Sequence, residues 1–246
     1  MIILRSYLYQ SLFYLWTALL AIASLPSLLL PAAVIQFISK SWSQSSFALL
    51  RLVTGLGYRV EGTEHISAEP VIYASKHQSA WDTMVFPVVL KDPVVILKKE
   101  LRWIPFYGWY LWKYGSIGVD RAAGAKALRG MVQEARDMIA TGRPIVVFPQ
   151  GTRTAPEERG TYQSGIAALY RELGVPVVPV ALNSGLFWRR RSNVRRPGTI
   201  ILRFLPPIPP GLDRKDFMER LETVIESAQD ELMDGHTNIL TDDPKP

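Results

Sequence analysis

Apolar and polar positions alternate along residues 58–205 in two rhythms. Short, nearly unbroken apolar runs predict buried strands at 71–74, 94–97, 116–119, 145–148, 177–182 and 199–205. Between them, apolar residues recur at helical spacing. The clearest helix covers 122–140, where Ala127, Leu128, Met131, Ala135, Met138 and Ile139 share a face and Gly142 stands just past the end. Further helices are expected at 83–90, 164–173 and 213–231, and a further strand at 58–62. Strands alternating with helices predict an α/β fold, with a mostly parallel or mixed central sheet flanked by helices. No internal repeat is visible.

The N-terminus follows neither rhythm. Between Arg5 and Lys40, residues 6–39 carry no charged side chain over 34 positions. A helix needs roughly 20 apolar residues to cross a bilayer. Pro26 and Pro31 interrupt the stretch. It could span over 7–25, fold as two helices buried in one leaflet, or be a cleaved signal peptide with Arg5 as its thin basic region. A buried pair of soluble helices would read the same way. Membrane attachment is the expectation, with Trp16 and Trp42 suited to headgroup level. A short amphipathic helix is expected at 47–56, ended by Gly55 and Gly57. This gives a membrane-associated helical segment over 1–45, a main domain over 46–234 and a flexible polar tail over 235–246.

Composition narrows the partners. The chain has 246 residues, is 48% hydrophobic, holds seven Trp and carries a net charge of +6. That charge suits an anionic partner: lipid headgroups, a phosphorylated substrate or nucleic acid. With no Cys, a disulfide framework, a thiolate metal site and a Cys nucleophile are all excluded. No Gly-x-Ser-x-Gly elbow and no Gly-x4-Gly-Lys loop occurs, which disfavours a lipase-type serine and a P-loop.

The chemistry gathers in four blocks. In Ser75-Lys76-His77-Gln78-Ser79-Ala80-Trp81-Asp82, His77 is expected in a strand-to-helix turn and Asp82 in the first helical turn. Ser79, three residues before Asp82, is a capping-box-like start. The turn lets the imidazole fold back over the carboxylate, which suits general base catalysis with Asp82 fixing the tautomer. A turn His beside a capping Asp would read the same. The second block, Gly115 to Arg121, ends a strand in Asp120-Arg121, which would face the ligand crevice of an open α/β sheet. The third, Phe148-Pro149-Gln150-Gly151-Thr152-Arg153-Thr154, puts a Gly, two hydroxyls and an Arg in one loop at a strand end, a set suited to a phosphate monoester. The fourth is the apolar run Val175 to Leu182, where Pro176 and Pro179 suit an edge strand or a groove wall, although on its own it reads first as a structural strand. Beyond the blocks, Arg189, Arg190, Arg191, Arg195 and Arg196 form a basic loop suited to an anionic bilayer; no nucleic-acid motif accompanies it.

In this order and spacing, the four blocks resemble the 1-acyl-glycerol-3-phosphate acyltransferases, a family of glycerolipid acyltransferases. The resemblance covers about residues 58–205. It implies an acyltransferase domain in which His77 takes the proton of a lysophospholipid sn-2 hydroxyl and Asp82 orients it. Arg121, Gly151, Thr152 and Arg153 would hold the acceptor phosphate, and Val177, Val178 and Pro179 would line the acyl or thioester site. The implied donor is acyl-CoA or acyl carrier protein as co-substrate, with no cofactor and no metal. The implied partners are the bilayer and the lysophospholipid, with no nucleic acid. The implied location is the inner membrane with the catalytic face towards the cytoplasm, consistent with Lys40, Arg51, Arg59 and Lys76 after the apolar segment.

Three positions depart from the family pattern. Lys76 stands where the first block often has Asn, Gly118 where the second often has an aromatic, and Gln150 where the third usually has Glu. Gln150 keeps an acceptor oxygen without the charge, which is expected to leave an Arg freer for substrate. Glycerol 3-phosphate or a lyso-ornithine lipid therefore remain open as acceptors. A hydrolase of the thioester and a non-catalytic lipid-binding module stand as alternatives.

Overall fold

The computed structural model describes residues 1–120 and 124–234; Arg121 and the tail expected over 235–246 lie outside the described residues. The chain opens with a helical hairpin. Helix α1 (Ile2–Ala23) meets α2 (Ala32–Thr54) through a 3-10 turn at Leu25–Leu29 that holds Pro26. Pro31 caps α2, and Gly55 ends it in the left-handed conformation. The separate helix expected at 47–56 is the last part of α2, because no Gly or Pro occurs between Pro31 and Gly55. The boundary expected at residue 45 thus falls inside one continuous helix.

No helix of the described residues is long and apolar enough to cross a membrane. The span expected over 7–25 is diluted by Tyr7, Tyr9, Gln10, Ser11, Tyr14 and Thr17. The two-helix arrangement is the one observed. The hairpin is pinned by Trp16 Nε1 donating to Ser45 Oγ at 2.9 Å and Trp42 Nε1 donating to Thr17 Oγ1 at 3.0 Å.

The rest alternates strands and helices as the pattern predicts. In order come β1 (Leu56–Glu61), β2 (Ile72–Ser75), α3 (Trp81–Val89), β3 (Val94–Lys98), α4 (Tyr107–Tyr114), β4 (Ile117–Val119), α5 (Gly124–Ala140), β5 (Ile145–Val147), α6 (Gly165–Leu173), β6 (Val177–Leu182), α7 (Ser184–Phe187), β7 (Gly198–Phe204) and α8 (Arg214–Asp234). The strands form one sheet in the order β1-β7-β6-β2-β5-β3-β4. All pairings are parallel except β6 with β7. Both faces are covered, so strand side chains divide by alternation. Tyr73, Val146, Val178 and Val180 join α2 and α3 in one core, while Ile72, Ala74, Ile145 and Val177 join α5, α6 and α8 in the other.

Strand β6 lies in the middle of the sheet, not at an edge, and every residue of it is buried. Pro179 is tolerated there for a local reason. Within a strand, a residue's N–H position and C=O point to the same side. Pro179 O accepts from Leu205 N at 2.9 Å, so its missing N–H falls on the β7 side. There the ladder is already interrupted: it resumes only at the Val177–Ile208 bridge, past Pro206 and Pro207.

Candidate active site

Parallel register brings the first and third blocks together. Ala74 pairs with Val147 across β2 and β5. Three residues further, beyond the C-terminal strand ends, His77 lies opposite Gln150. This is the sheet edge where open α/β folds bind ligands. The His77 amide donates to Gln150 Oε1 at 3.4 Å, and the Thr154 amide donates to His77 O at 2.9 Å. The third-block loop therefore clamps the backbone of the first. Gly151, at φ +68°, makes the turn that a side chain would strain.

His77 and Asp82 meet as expected. Nδ1 lies 2.9 Å from Asp82 Oδ2, with the carboxylate fully buried. Asp82 Oδ2 also accepts from the amides of Gln78 at 2.6 Å and Ser79 at 2.8 Å; Oδ1 accepts from Ser79 Oγ at 2.9 Å and Ser184 Oγ at 2.6 Å. Ser79 Oγ in turn accepts from the Trp81 amide at 3.1 Å; of the expected capping box only the Asp82-to-Ser79-amide half forms, because the helix starts one residue later with Ala80 at its N-cap. A carboxylate held by these donors fixes the Nδ1–H tautomer and leaves Nε2 without a protein partner among the described residues. Phe148 stacks on the imidazole at 4.1 Å between centroids. The ring can neither swing nor flip freely.

Ser184 was not visible as a site residue in the sequence. It follows β6, whose Val180 pairs with Ser75 of β2, so the strand delivers it beside Asp82. Gly185 follows because nothing larger fits: a Cβ there would meet Gln78 Cβ at 3.0 Å and Pro156 Cγ at 2.7 Å, and its amide donates to Gln78 Oε1 at 2.9 Å. The segment that follows the fourth block thus braces the His77 turn. Val177, Val178 and Pro179 do not line the groove described below; their side chains fill the sheet core because β6 is central.

Behind the turn, Lys76 is buried. Its ammonium donates to both oxygens of Glu226 on α8, at 2.7 and 2.6 Å, and to the carbonyls of Glu158 at 3.2 Å and Arg159 at 3.3 Å. Tyr162 Oη donates to the same Glu226 carboxylate at 2.8 Å. Burial pulls the Lys76 ammonium below the ordinary lysine range, while the Glu226 carboxylate acts the other way. Burial, with the Glu226 charge, pushes the Tyr162 hydroxyl far up. Gln150 belongs to this network: its Nε2 donates to Arg159 O. Its amide meets the Arg159 carbonyl and the His77 amide rather than any guanidinium. It is buried and ties the turn to the loop.

In front of the turn lies a groove of about 1400 Å³. One wall comes from the hairpin, including Ala21 and Trp42; His77, Phe148 and Arg153 line the other end. Gly151 and Thr152 line it too, beside Arg153. Tyr110 of α4 joins the walls by donating to Ala21 O at 2.7 Å. Asp120 of the second block sits 3.8 Å from Lys99. The basic loop over 188–196 is not a uniform exposed patch. Arg195 is buried, and its guanidinium stacks over Trp188 at 4.1 Å. Burial pulls that guanidinium down to about 10. Arg189 pairs with Glu157, and Arg190 turns into the groove.

Comparison with known proteins agrees with this arrangement. A family model described as Acyltransferase matches residues 57–183. A 1-acyl-sn-glycerol-3-phosphate acyltransferase of Pseudomonas aeruginosa is 33% identical over 165 residues, covering 67% of this chain and 64% of that protein's length. The protein of the same description from Escherichia coli is 32% identical over 183 residues, covering 70% of this chain and 71% of that one. The crystal structure of a 1-acyl-sn-glycerophosphate (LPA) acyltransferase from Thermotoga maritima superposes with a TM-score of 0.76 at 21% identity, over 94% of this chain and 99% of that one, which is a likeness of fold.

Proposed function

Because this chain belongs to the acyltransferase family, we propose that it transfers a fatty acyl group from a thioester to the sn-2 hydroxyl of 1-acyl-glycerol-3-phosphate, giving phosphatidic acid. The observation that carries the reading is the His77–Asp82 pair at 2.9 Å, with Nε2 left free beside a groove large enough for a lipid. Nε2 takes the hydroxyl proton as the oxygen attacks the thioester carbonyl. The C–O bond forms and the C–S bond breaks. The proton then passes from the imidazolium to the departing thiolate, and no acyl-enzyme forms. Asp82 stabilises the imidazolium between the two transfers. Arg153, with the Gly151 and Thr152 backbone, holds the acceptor phosphate, and Arg121 of the second block is assigned the same role. Acyl-CoA or acyl carrier protein supplies the acyl group as co-substrate.

The exposed apolar residues of α1, among them Ile3, Leu4, Leu8, Leu15 and Leu19, support attachment to one leaflet. A cytosolic thioester donor puts the catalytic face on the cytoplasmic side of the inner membrane. The test is a radiolabelled acyl-transfer assay with detergent-solubilised protein, lysophosphatidic acid and acyl-CoA. Phosphatidic acid should form with the wild type and fall by about 10²-fold or more with His77→Ala. Turnover only with another lyso-lipid would overturn the acceptor, and no turnover with any acceptor and either donor would overturn the reaction.

A further inference from the structure

The groove holds two guanidinium groups that no described residue neutralises. Arg153 and Arg190 both line it, and among the described residues neither meets a carboxylate. Most other arginines close to the groove and its loops do: Arg102 reaches Glu134, Arg143 pairs with Asp92, and Arg159 pairs with Asp230. Arg190 is also no waving surface side chain. It is half-buried, and its Nη1 donates to Arg153 O at 2.7 Å, an arm tied to the third-block loop. Its own loop is anchored at both ends. The Arg195 amide donates to Ser6 Oγ of α1 at 2.8 Å, and Trp188 packs edge-on against Tyr9 at 5.9 Å. One arm bound to a carbonyl leaves the rest of a planar fork to face the cavity.

We propose that Arg190 is a second guanidinium for the acceptor's phosphate, acting beside Arg153 of the third-block loop, to whose carbonyl it is tied. The assignment rests on the acceptor carrying a phosphate monoester, as proposed above. It makes Arg190 a specificity residue. Two uncompensated guanidiniums favour a dianionic headgroup, and an acceptor without phosphate leaves both unpaired in a partly desolvated groove. The tie to Arg153 O makes the two act together, because whatever draws Arg190 inwards also fixes the loop beside His77. The signal in the sequence was the arginine run itself. What it lacked was direction: only the fold turns one member of the run inwards and buries another.

Phosphate could also come from the thioester's carrier, so the test separates the sources. Equilibrium binding of lysophosphatidic acid in detergent is measured for the His77→Ala protein, with and without Arg190→Gln, beside monoacylglycerol as the phosphate-free comparison. This needs no turnover, so it stands apart from failure of the proposed reaction. Arg190→Gln should weaken lysophosphatidic acid roughly ten- to hundredfold and leave monoacylglycerol unchanged. Arg190→Lys should restore part of the loss, since it keeps the charge but not the fork. In the active protein, Arg190→Gln should raise the acceptor KM by a similar factor, with kcat and the donor KM close to wild type. Lysophosphatidic acid affinity within twofold of the parent overturns the proposal. So does an equal loss for both lipids, and so does a rise confined to the donor KM, which would give the phosphate to the carrier.

Discussion

Two cationic regions flank the catalytic turn, and the fold treats them in opposite ways. Behind it, Lys76 is sealed from solvent and meets both oxygens of Glu226 and two backbone carbonyls. In front of it, Arg153 and Arg190 face a groove that no carboxylate of the described residues lines. The first charge is satisfied internally and therefore acts on structure alone. It joins α8 to the residue next to His77. The second is left unsatisfied at a cavity and is available to a ligand. In this chain net positive charge says little until each cation is traced to its partners.

Several substitutions would break or sharpen that contrast. The largest effect is expected between the two regions, at His77 itself. His77→Ala should lower kcat/KM by about 10²- to 10⁴-fold while costing only about 1 kcal/mol of stability for the lost donor to Asp82, measured by acyl transfer and calorimetry. Next comes the rear. Lys76→Met leaves the Glu226 carboxylate buried and unpaired, at about 3–5 kcal/mol of stability. For a chain of this size the melting temperature should fall by about 10 °C. The double variant Lys76→Met/Glu226→Leu should recover most of that loss. If the single variant melts with the wild type, the pair is not the strut described. Smaller again is Gln150→Glu. It turns an amide donor into a carboxylate facing Arg159 O, at about 1–3 kcal/mol, visible as a lower denaturant midpoint. The smallest is Ser184→Ala, which removes one of five donors to Asp82. It should cost about 1 kcal/mol of stability and lower kcat a few-fold without moving the acceptor KM.

Much of this site was legible because it is local or follows from strand ends. His77 and Asp82 are five residues apart, and the capping pattern located their turn. The seven expected strands all formed, since an apolar run of four to seven residues in an alternating chain has few other places to go. Long-range pairings were not legible. Lys76 and Glu226 lie 150 positions apart, and only the order of the sheet brings α8 behind β2. Ser184 depends on β6 lying beside β2. The fourth block is the structural strand its apolar run suggested; the edge its two prolines also allowed is absent, because the compensating interruption at Pro206 and Pro207 belongs to another strand. The continuity of α2 was legible in principle. No helix-breaking residue occurs between Pro31 and Gly55.

The shared groove bears on how separable the hairpin is. Ala21 and Trp42 form part of the wall opposite His77, Tyr110 is tied to Ala21, and Ser6 fastens the loop that carries Arg190. The first 54 residues are therefore not a handle on a self-sufficient catalyst. A truncation at residue 45 would sever α2 mid-helix, leave the groove with one side, and free the arginine loop. Such a protein could keep every residue of the four blocks and still have nowhere to put a lipid.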